Sequence, residues 1–195
     1  KNMAKHQKKR GMKVKTSNLC SEIMLHTGLD HHGKERTAVC CLSSVNLEKW
    51  EEWSKNESFI PDVMRFLDNV LEDFIQNAPE SMKHAAYSAK MERSIGLGAM
   101  GFHSFLQKNG IPFESALAKS WNVKFFKYLK QEADKASVIL AIERGACPDA
   151  YEMGVKARFS HKIAIAPTAS ISIICGGTSA CIEPIPANIY THKTL

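Results

Sequence analysis

The chain has 195 residues, 44% of them apolar and 24% charged, with 26 Lys plus Arg against 20 Asp plus Glu. These are ordinary globular values, so disordered, collagen-like and membrane-spanning readings are set aside. The formal charge of +6 sits in the first 15 residues, where Lys1, Lys5, Lys8, Lys9, Arg10, Lys13 and Lys15 meet no acid. Residues 1–15 read as a basic lead-in segment, a solvated terminus or connector with no chemical role, and the remainder is close to neutral.

No apolar run reaches the roughly 18 to 20 residues of a membrane helix, and no apolar stretch follows the basic start as in a secretory signal. A cytoplasmic protein without a membrane partner is the expectation. Six cysteines are too sparse for a disulfide scaffold, and none forms a C-x-x-C pair. The first residue, Lys1, and the composition of the last six predict a piece of a longer protein.

Residues 16–26 alternate polar and apolar positions around Cys20, and a Gly-, Asp- and His-rich turn follows at residues 27–34. Together they predict a loop or hairpin returning to a buried strand, Thr37 to Leu42. Helical spacing then takes over. Val63, Leu67, Val70, Leu71, Phe74 and Ile75 share one face between Pro61 and Pro79, and a second helix is predicted from Glu80 to Lys108. A third runs from Ser115 to Arg144 and stops at Gly145. His161 to Ala166 reads as a short buried strand. This order favours an α/β class with parallel strands and a helical middle.

Gly96-Leu-Gly-Ala-Met-Gly101 fits the dinucleotide fingerprint in letters but not in context, which requires a preceding strand. Small residues for close packing against a helix or sheet are the expected role. Asn18, Cys20 and Glu22 stand at alternate positions, so an extended loop would point an amide, a thiol and a carboxylate one way. Cys40 and Cys41 face opposite sides of a strand, so only one of them can share a site with Cys20. His26, His31 and His32 match no usual zinc spacing with these thiols, and no metal ligand is assigned. Thr168, Ser170 and Ser172 alternate after Pro167, reading either as a strand's polar face or as hydroxyls around an anion at a helix start.

Four segments occurring in order carry a resemblance. They are Asn18-Leu-Cys-Ser-Glu-Ile23, Ala38-Val-Cys-Cys-Leu-Ser-Ser-Val-Asn-Leu47, Arg93-Ser-Ile-Gly-Leu-Gly-Ala-Met-Gly-Phe102 and Ala166-Pro-Thr-Ala-Ser-Ile-Ser-Ile-Ile174, with Ile182-Glu-Pro184 closing the series. Together they resemble the catalytic large subunit of class I ribonucleotide reductase. The resemblance implies that residues 16–195 form part of a ten-stranded α/β barrel with a central finger loop. It implies that Cys20 becomes a thiyl radical and abstracts the ribose 3′ hydrogen, that Glu22 takes the 3′-hydroxyl proton, and that Asn18 hydrogen-bonds the ribose hydroxyls. Cys40 aligns with one of two reducing cysteines, and Cys41 departs from the usual residue at its position. Thr168, Ala169, Ser170, Ile171 and Ser172 align with the loop that binds substrate phosphates.

The same resemblance implies partners. They are the remaining parts of the large subunit, a radical-generating small subunit that holds the di-metal centre, ribonucleoside diphosphate substrate, and thioredoxin or glutaredoxin as reductant. ATP and deoxynucleotide effectors bind parts of the family not found in these residues, and the chain itself binds no cofactor. The chain alone is expected to be inactive, because the other redox cysteine and the radical path have no counterpart in it. The rival readings are a cobalamin-dependent reductase, disfavoured by Asn-Leu-Cys, and a helical module whose basic arm binds nucleic acid.

Overall fold

The computed structural model describes residues 3–191. A short helix α1 (Lys5–Lys9) is followed by a two-stranded antiparallel hairpin, β1 (Gly28–Leu29) and β2 (Glu35–Arg36). Strand β3 (Cys41–Asn46) leads through α2 (Trp50–Trp53) to the long helix α3 (Phe59–Asn77) and then α4 (Lys83–Glu92). Strand β4 (Ile95–Met100) pairs in parallel with β3, Cys41 opposite Ile95 and Asn46 opposite Met100. Helices α5 (Phe102–Lys108), α6 (Ala116–Arg144), α7 (Pro148–Tyr151) and α8 (Ala169–Ile174) complete the chain. No helix among the described residues is long and apolar enough to cross a membrane.

The α/β class and parallel pairing hold, and α6 has the predicted limits: Ser115 Oγ accepts from Ala118 N at its start, and Gly145 ends it. The helix predicted from Glu80 to Lys108 is instead two helices with strand β4 between them. Arg93, in the left-handed region at φ 43°, stops α4 and redirects the chain. All six residues of β4 are buried. A strand covered on both faces shows no alternation, which is why Ile95 to Met100 carried no period-2 signal. The first strand also begins later than predicted, at Cys41, leaving Cys40 just before it.

The glycines of β4 are the sites of closest approach. Residues 161–164 run beside the strand, with Ile95 N donating to His161 O (3.1 Å) and Leu97 N to Lys162 O (2.8 Å). The strand predicted over 161–166 reduces to a single parallel bridge, Ile163 with Leu97. A Cβ on Gly98 would stand 2.3 Å from Ala164 O, and one on Gly96 2.4 Å from Leu42 Cδ2. Gly98 meets backbone, which cannot swing away as a side chain can. Gly98→Ala is expected to destabilise by about 1–3 kcal/mol, read from urea unfolding. An unchanged midpoint would show that the 161–164 segment gives way at no cost.

Helices α3, α5 and α6 cover one face of the β3–β4 pair, around Leu47, Met64, Leu71, Leu97, Phe125 and Leu129. Trp50, Trp53, Phe105, Trp121 and Phe125 meet mostly edge to face, with ring centroids 4.8–5.3 Å apart in the closest pairs. Trp53 Nε1 donates to Asn46 O (2.8 Å) and ties α2 to the end of β3.

The basic lead-in is not simply solvated. His6, Gln7 and Met12 are buried, and Gln7 Nε2 donates to Glu92 Oε2 (3.0 Å) and Asp149 Oδ2 (2.9 Å). One polar stripe of the segment is thus hydrogen-bonded to the body, while Lys5, Lys8, Lys9, Lys13 and Lys15 are exposed.

Candidate functional site

The segment around Cys20 is a loop closed at its base by an antiparallel bridge between Val14 and His26. His26 is buried there, Nδ1 against the backbone of Lys13 and Nε2 against Leu29 O (3.1 Å). At the tip, Ser21 N donates to Asn18 O (3.1 Å), Asn18 N to Ile23 O (3.2 Å), and Ile23 N to Asn18 Oδ1 (2.9 Å). Ser21 adopts φ 63°. The chain therefore turns between Asn18 and Ile23 instead of running extended, and the expected same-side alignment of positions 18, 20 and 22 does not hold. Leu19 and Cys20 are exposed at the tip, and the Asn18 amide oxygen is engaged in holding it.

The turn sends Glu22 inward. A cavity of about 150 Å³ is lined by Glu22, Cys40, Ile95, His161, Ile163 and Ala164, among others. Glu22 Oε2 is buried without a hydrogen-bond partner among the described residues, a costly arrangement for a carboxylate and one that a ligand hydroxyl would relieve. Burial, reinforced by Cys41, Glu92 and Glu22, pushes the Cys40 thiol far above its ordinary pKa, so it stays protonated as S–H. Cys41 turns the other way and packs against the hydrophobic core. Of the cysteine doublet, Cys40 is the one that shares a cavity with the loop. Cys20 and Asn18 are not among the lining residues.

His161 is a lining residue that the sequence reading treated only as a strand start. Its Nδ1 is 3.0 Å from Ser94 Oγ, and its Nε2 accepts from Ala4 N (3.2 Å). Ser94 Oγ also donates to Glu92 Oε2 (3.1 Å), and burial raises the Glu92 carboxyl to about 7. No spacing signal links His161 to Glu22, 139 positions away; the two line one cavity because residues 161–164 run beside β4.

The Thr168–Ser172 segment lies apart from this cavity. Instead of a strand with alternating hydroxyls it forms the start of α8, with Thr168 as N-cap at φ 53°. Thr168 Oγ1 accepts from Cys181 N (2.7 Å) and Ser172 Oγ donates to Ala169 O (3.1 Å), so one hydroxyl ties the segment to residue 181 and the other is bonded within it. Ala169, Ser170 and Ile171 are exposed, and the amides of a helix's first turn have no intrahelical acceptor. A second cavity, about 510 Å³, opens beside Ala169, Ser172, Thr178, Ser179 and Glu183. Its wall is tied to the body by Ser179 N to Ser104 Oγ (2.7 Å) and Thr178 Oγ1 to Asn46 Oδ1 (3.3 Å). The structure thus brings Glu22 and Cys40 to one cavity, puts Ala169 and Ser172, but not Thr168, Ser170 or Ile171, on the wall of another, and leaves Cys20 at an exposed tip.

The family model described as "Ribonucleotide reductase, barrel domain" matches residues 1–157 and 152–195. The "Ribonucleoside-diphosphate reductase large subunit" of Invertebrate iridescent virus 3 is 46% identical over 189 residues, covering 97% of this chain and 29% of the relative. A "Vitamin B12-dependent ribonucleoside-diphosphate reductase" of Thermoplasma acidophilum is 38% identical over 167 residues, covering 80% of this chain and 21% of the relative. Among solved structures, the "Actinobacillus ureae class Id ribonucleotide reductase alpha subunit" matches with a TM-score of 0.88 at 35% identity, covering 96% of this chain and 35% of that one. The chain therefore spans about a third or less of the length of these relatives.

Proposed function

This chain belongs to the ribonucleotide reductase barrel-domain family, and from that premise we propose that it supplies the finger loop, one redox cysteine and the phosphate loop of a class I large subunit. The reaction is reduction of a ribonucleoside diphosphate at C2′. Cys20, as a thiyl radical, removes the 3′ hydrogen and forms S–H. Glu22 takes the 3′-hydroxyl proton and Asn18 hydrogen-bonds the ribose hydroxyls. The 2′-hydroxyl then leaves as water while two thiols, Cys40 and one outside this chain, give up two electrons and join as a disulfide. The 3′ hydrogen returns from Cys20, which regenerates the thiyl radical.

The observation that carries this reading is the cavity shared by Glu22 and Cys40, which holds an unpartnered carboxylate oxygen beside a protonated thiol. A thiol that must deliver hydrogen is suited to a setting that disfavours the thiolate. The first-turn amides of the exposed residues Ala169, Ser170 and Ile171, flanked by Thr168 and Ser172, suit the diphosphate, since a helix start favours negative charge. The radical comes from a metal-bearing small subunit, and thioredoxin or glutaredoxin reduces the disulfide after each turnover. The other parts of the large subunit supply the second thiol and the effector sites.

Cys40 and Cys41 provide the test in the assembled enzyme. Cys40→Ser is expected to permit 3′-hydrogen abstraction yet stop reduction, with inactivation replacing deoxynucleotide release. Cys41→Ser is expected to retain multiple turnover, because that thiol is packed against the core. Normal turnover by Cys40→Ser would overturn the assignment. The 38% identity to a vitamin B12-dependent relative supports a second reading, a cobalamin-dependent reductase. A requirement for adenosylcobalamin in place of the small subunit would select it.

A further inference from the structure

We propose that His31, His32 and Glu152 form a binding site for a divalent cation of the zinc class, at the junction of the hairpin turn, α7 and the basic lead-in. The proposal is independent of the reductase reading. His31 Nε2 lies 3.1 Å from Glu152 Oε2, and His32 Nε2 lies 3.1 Å from Glu152 Oε1. The candidate ligand atoms of all three residues lie within 4.8 Å of one another. Two donors bound tetrahedrally at the usual zinc distances stand roughly 3.3 Å apart, so these separations fit a shared metal with small adjustments. Two imidazoles and one carboxylate are a zinc-type donor set that leaves a fourth position for water.

A second observation points to a cation. Arg10 Nη1 contacts both His31 Nε2 and Glu152 Oε2. Arginine has only donors to offer, so His31 must present the lone pair of Nε2 to it. An imidazole nitrogen and a carboxylate oxygen thus converge on one positive group, the arrangement that ligates a metal. Arg10 occupies that place from the lead-in segment and would compete with a metal for it.

The ligands are held by a buried ion network. Asp30 Oδ1 accepts from His32 N (2.9 Å) and Lys34 N (3.1 Å), which fixes the turn that presents both histidines. Asp30 Oδ2 accepts from Arg36 Nε (2.7 Å), and Arg36 grips Asp149 through Nη1 (2.7 Å) and Nη2 (2.8 Å). Asp149 is in α7, whose C-cap is Glu152. The side chains of Asp30, Arg36 and Asp149 are fully buried. Two segments more than a hundred residues apart in sequence are therefore clamped with their three donors facing, which lowers the ordering cost of binding.

The test is titration of the purified chain with Co²⁺ alone, then with Zn²⁺ in competition. The expected result is one saturable site whose cobalt spectrum lacks thiolate charge transfer, which separates it from binding at the six cysteines. Loss of supporting partners alone costs 10–100-fold in metal affinity, so Glu152→Gln and His31→Ala are expected to weaken binding by at least about 100-fold. Arg10→Ala is expected to tighten it several-fold by removing the competing cation. His32→Ala, at the most exposed of the three positions, guards against a variant that fails to fold. Absence of a saturable cysteine-independent site, or affinities unchanged in Glu152→Gln and His32→Ala, would overturn the proposal.

Discussion

Cys20→Ser in the assembled reductase is expected to bring deoxynucleotide formation down to the background of enzyme lacking its small subunit. The reasoning is chemical. The O–H bond of serine is much stronger than the S–H bond of cysteine, so a hydroxyl at this position yields no equivalent radical on receipt of an electron hole. Cys20 stands at the exposed tip of a turn whose hydrogen bonds come from Asn18, Ser21 and Ile23. The substitution therefore leaves the loop's own bonding intact, and the loss is to be read as chemistry. Two measurements separate these: urea unfolding of the chain, expected to be unchanged, and exchange of the substrate's 3′ hydrogen, expected to vanish. Retained turnover would remove Cys20 from the radical role and with it the central residue of the mechanism.

The tip geometry also shows what was legible in the sequence. Residue types announced the loop, its Cys20 and its companion carboxylate, and a resemblance spread over four segments supplied the family. The direction of the side chains was not legible. Alternation predicts a common face only for extended backbone, and the hydrogen bonds of Asn18 bend the chain so that Glu22 turns to the cavity while Cys20 stays outside. Helices α3 and α6 were readable because each buries one stripe. Strand β4 was hidden because every residue in it is buried, and its glycines invite packing arguments for any element. The same strand brings His161 to the cavity, so missing β4 meant missing His161 as well. Glu152 with His31 and His32 was equally invisible, since a ligand set divided between two distant segments has no spacing to recognise. The buried stripe of the lead-in was masked by its lysines, whose charge dominates composition although Gln7 makes the structural contacts.

Asp68→Ala is expected to cost the chain about 3–5 kcal/mol, the range for removing one partner from a buried ion pair. Asp68 lies in α3 with a fully buried carboxylate, yet it serves three arginines from three other segments. Arg93 reaches Oδ1 through Nη2 (2.7 Å), Arg144 reaches Oδ2 through Nη1 (2.8 Å), and Arg158 reaches Oδ1 through Nε (3.0 Å). Burial pushes its pKa up, but the Arg158 hydrogen bond and the charges and bonds of Arg93 and Arg144 prevail and hold it below the usual aspartate value. A depressed carboxyl pKa contributes stability that is present above the unfolded value, near 3.8, and is lost as the pH falls through the folded one. The alanine variant should therefore unfold at lower urea near neutrality and lose part of the parent's decline at acid pH. Glu52→Ala, which breaks an exposed pair with Lys49, should by contrast change stability by about 1 kcal/mol or less. The difference follows from solvent. Water replaces the lost partner at Lys49, whereas Arg93 and Arg158 are left buried around an empty acceptor position. A loss under about 1 kcal/mol for Asp68→Ala would mean that water enters this cluster readily, and that Glu72 and the residue-68 carbonyl suffice to hold Arg93 against α3.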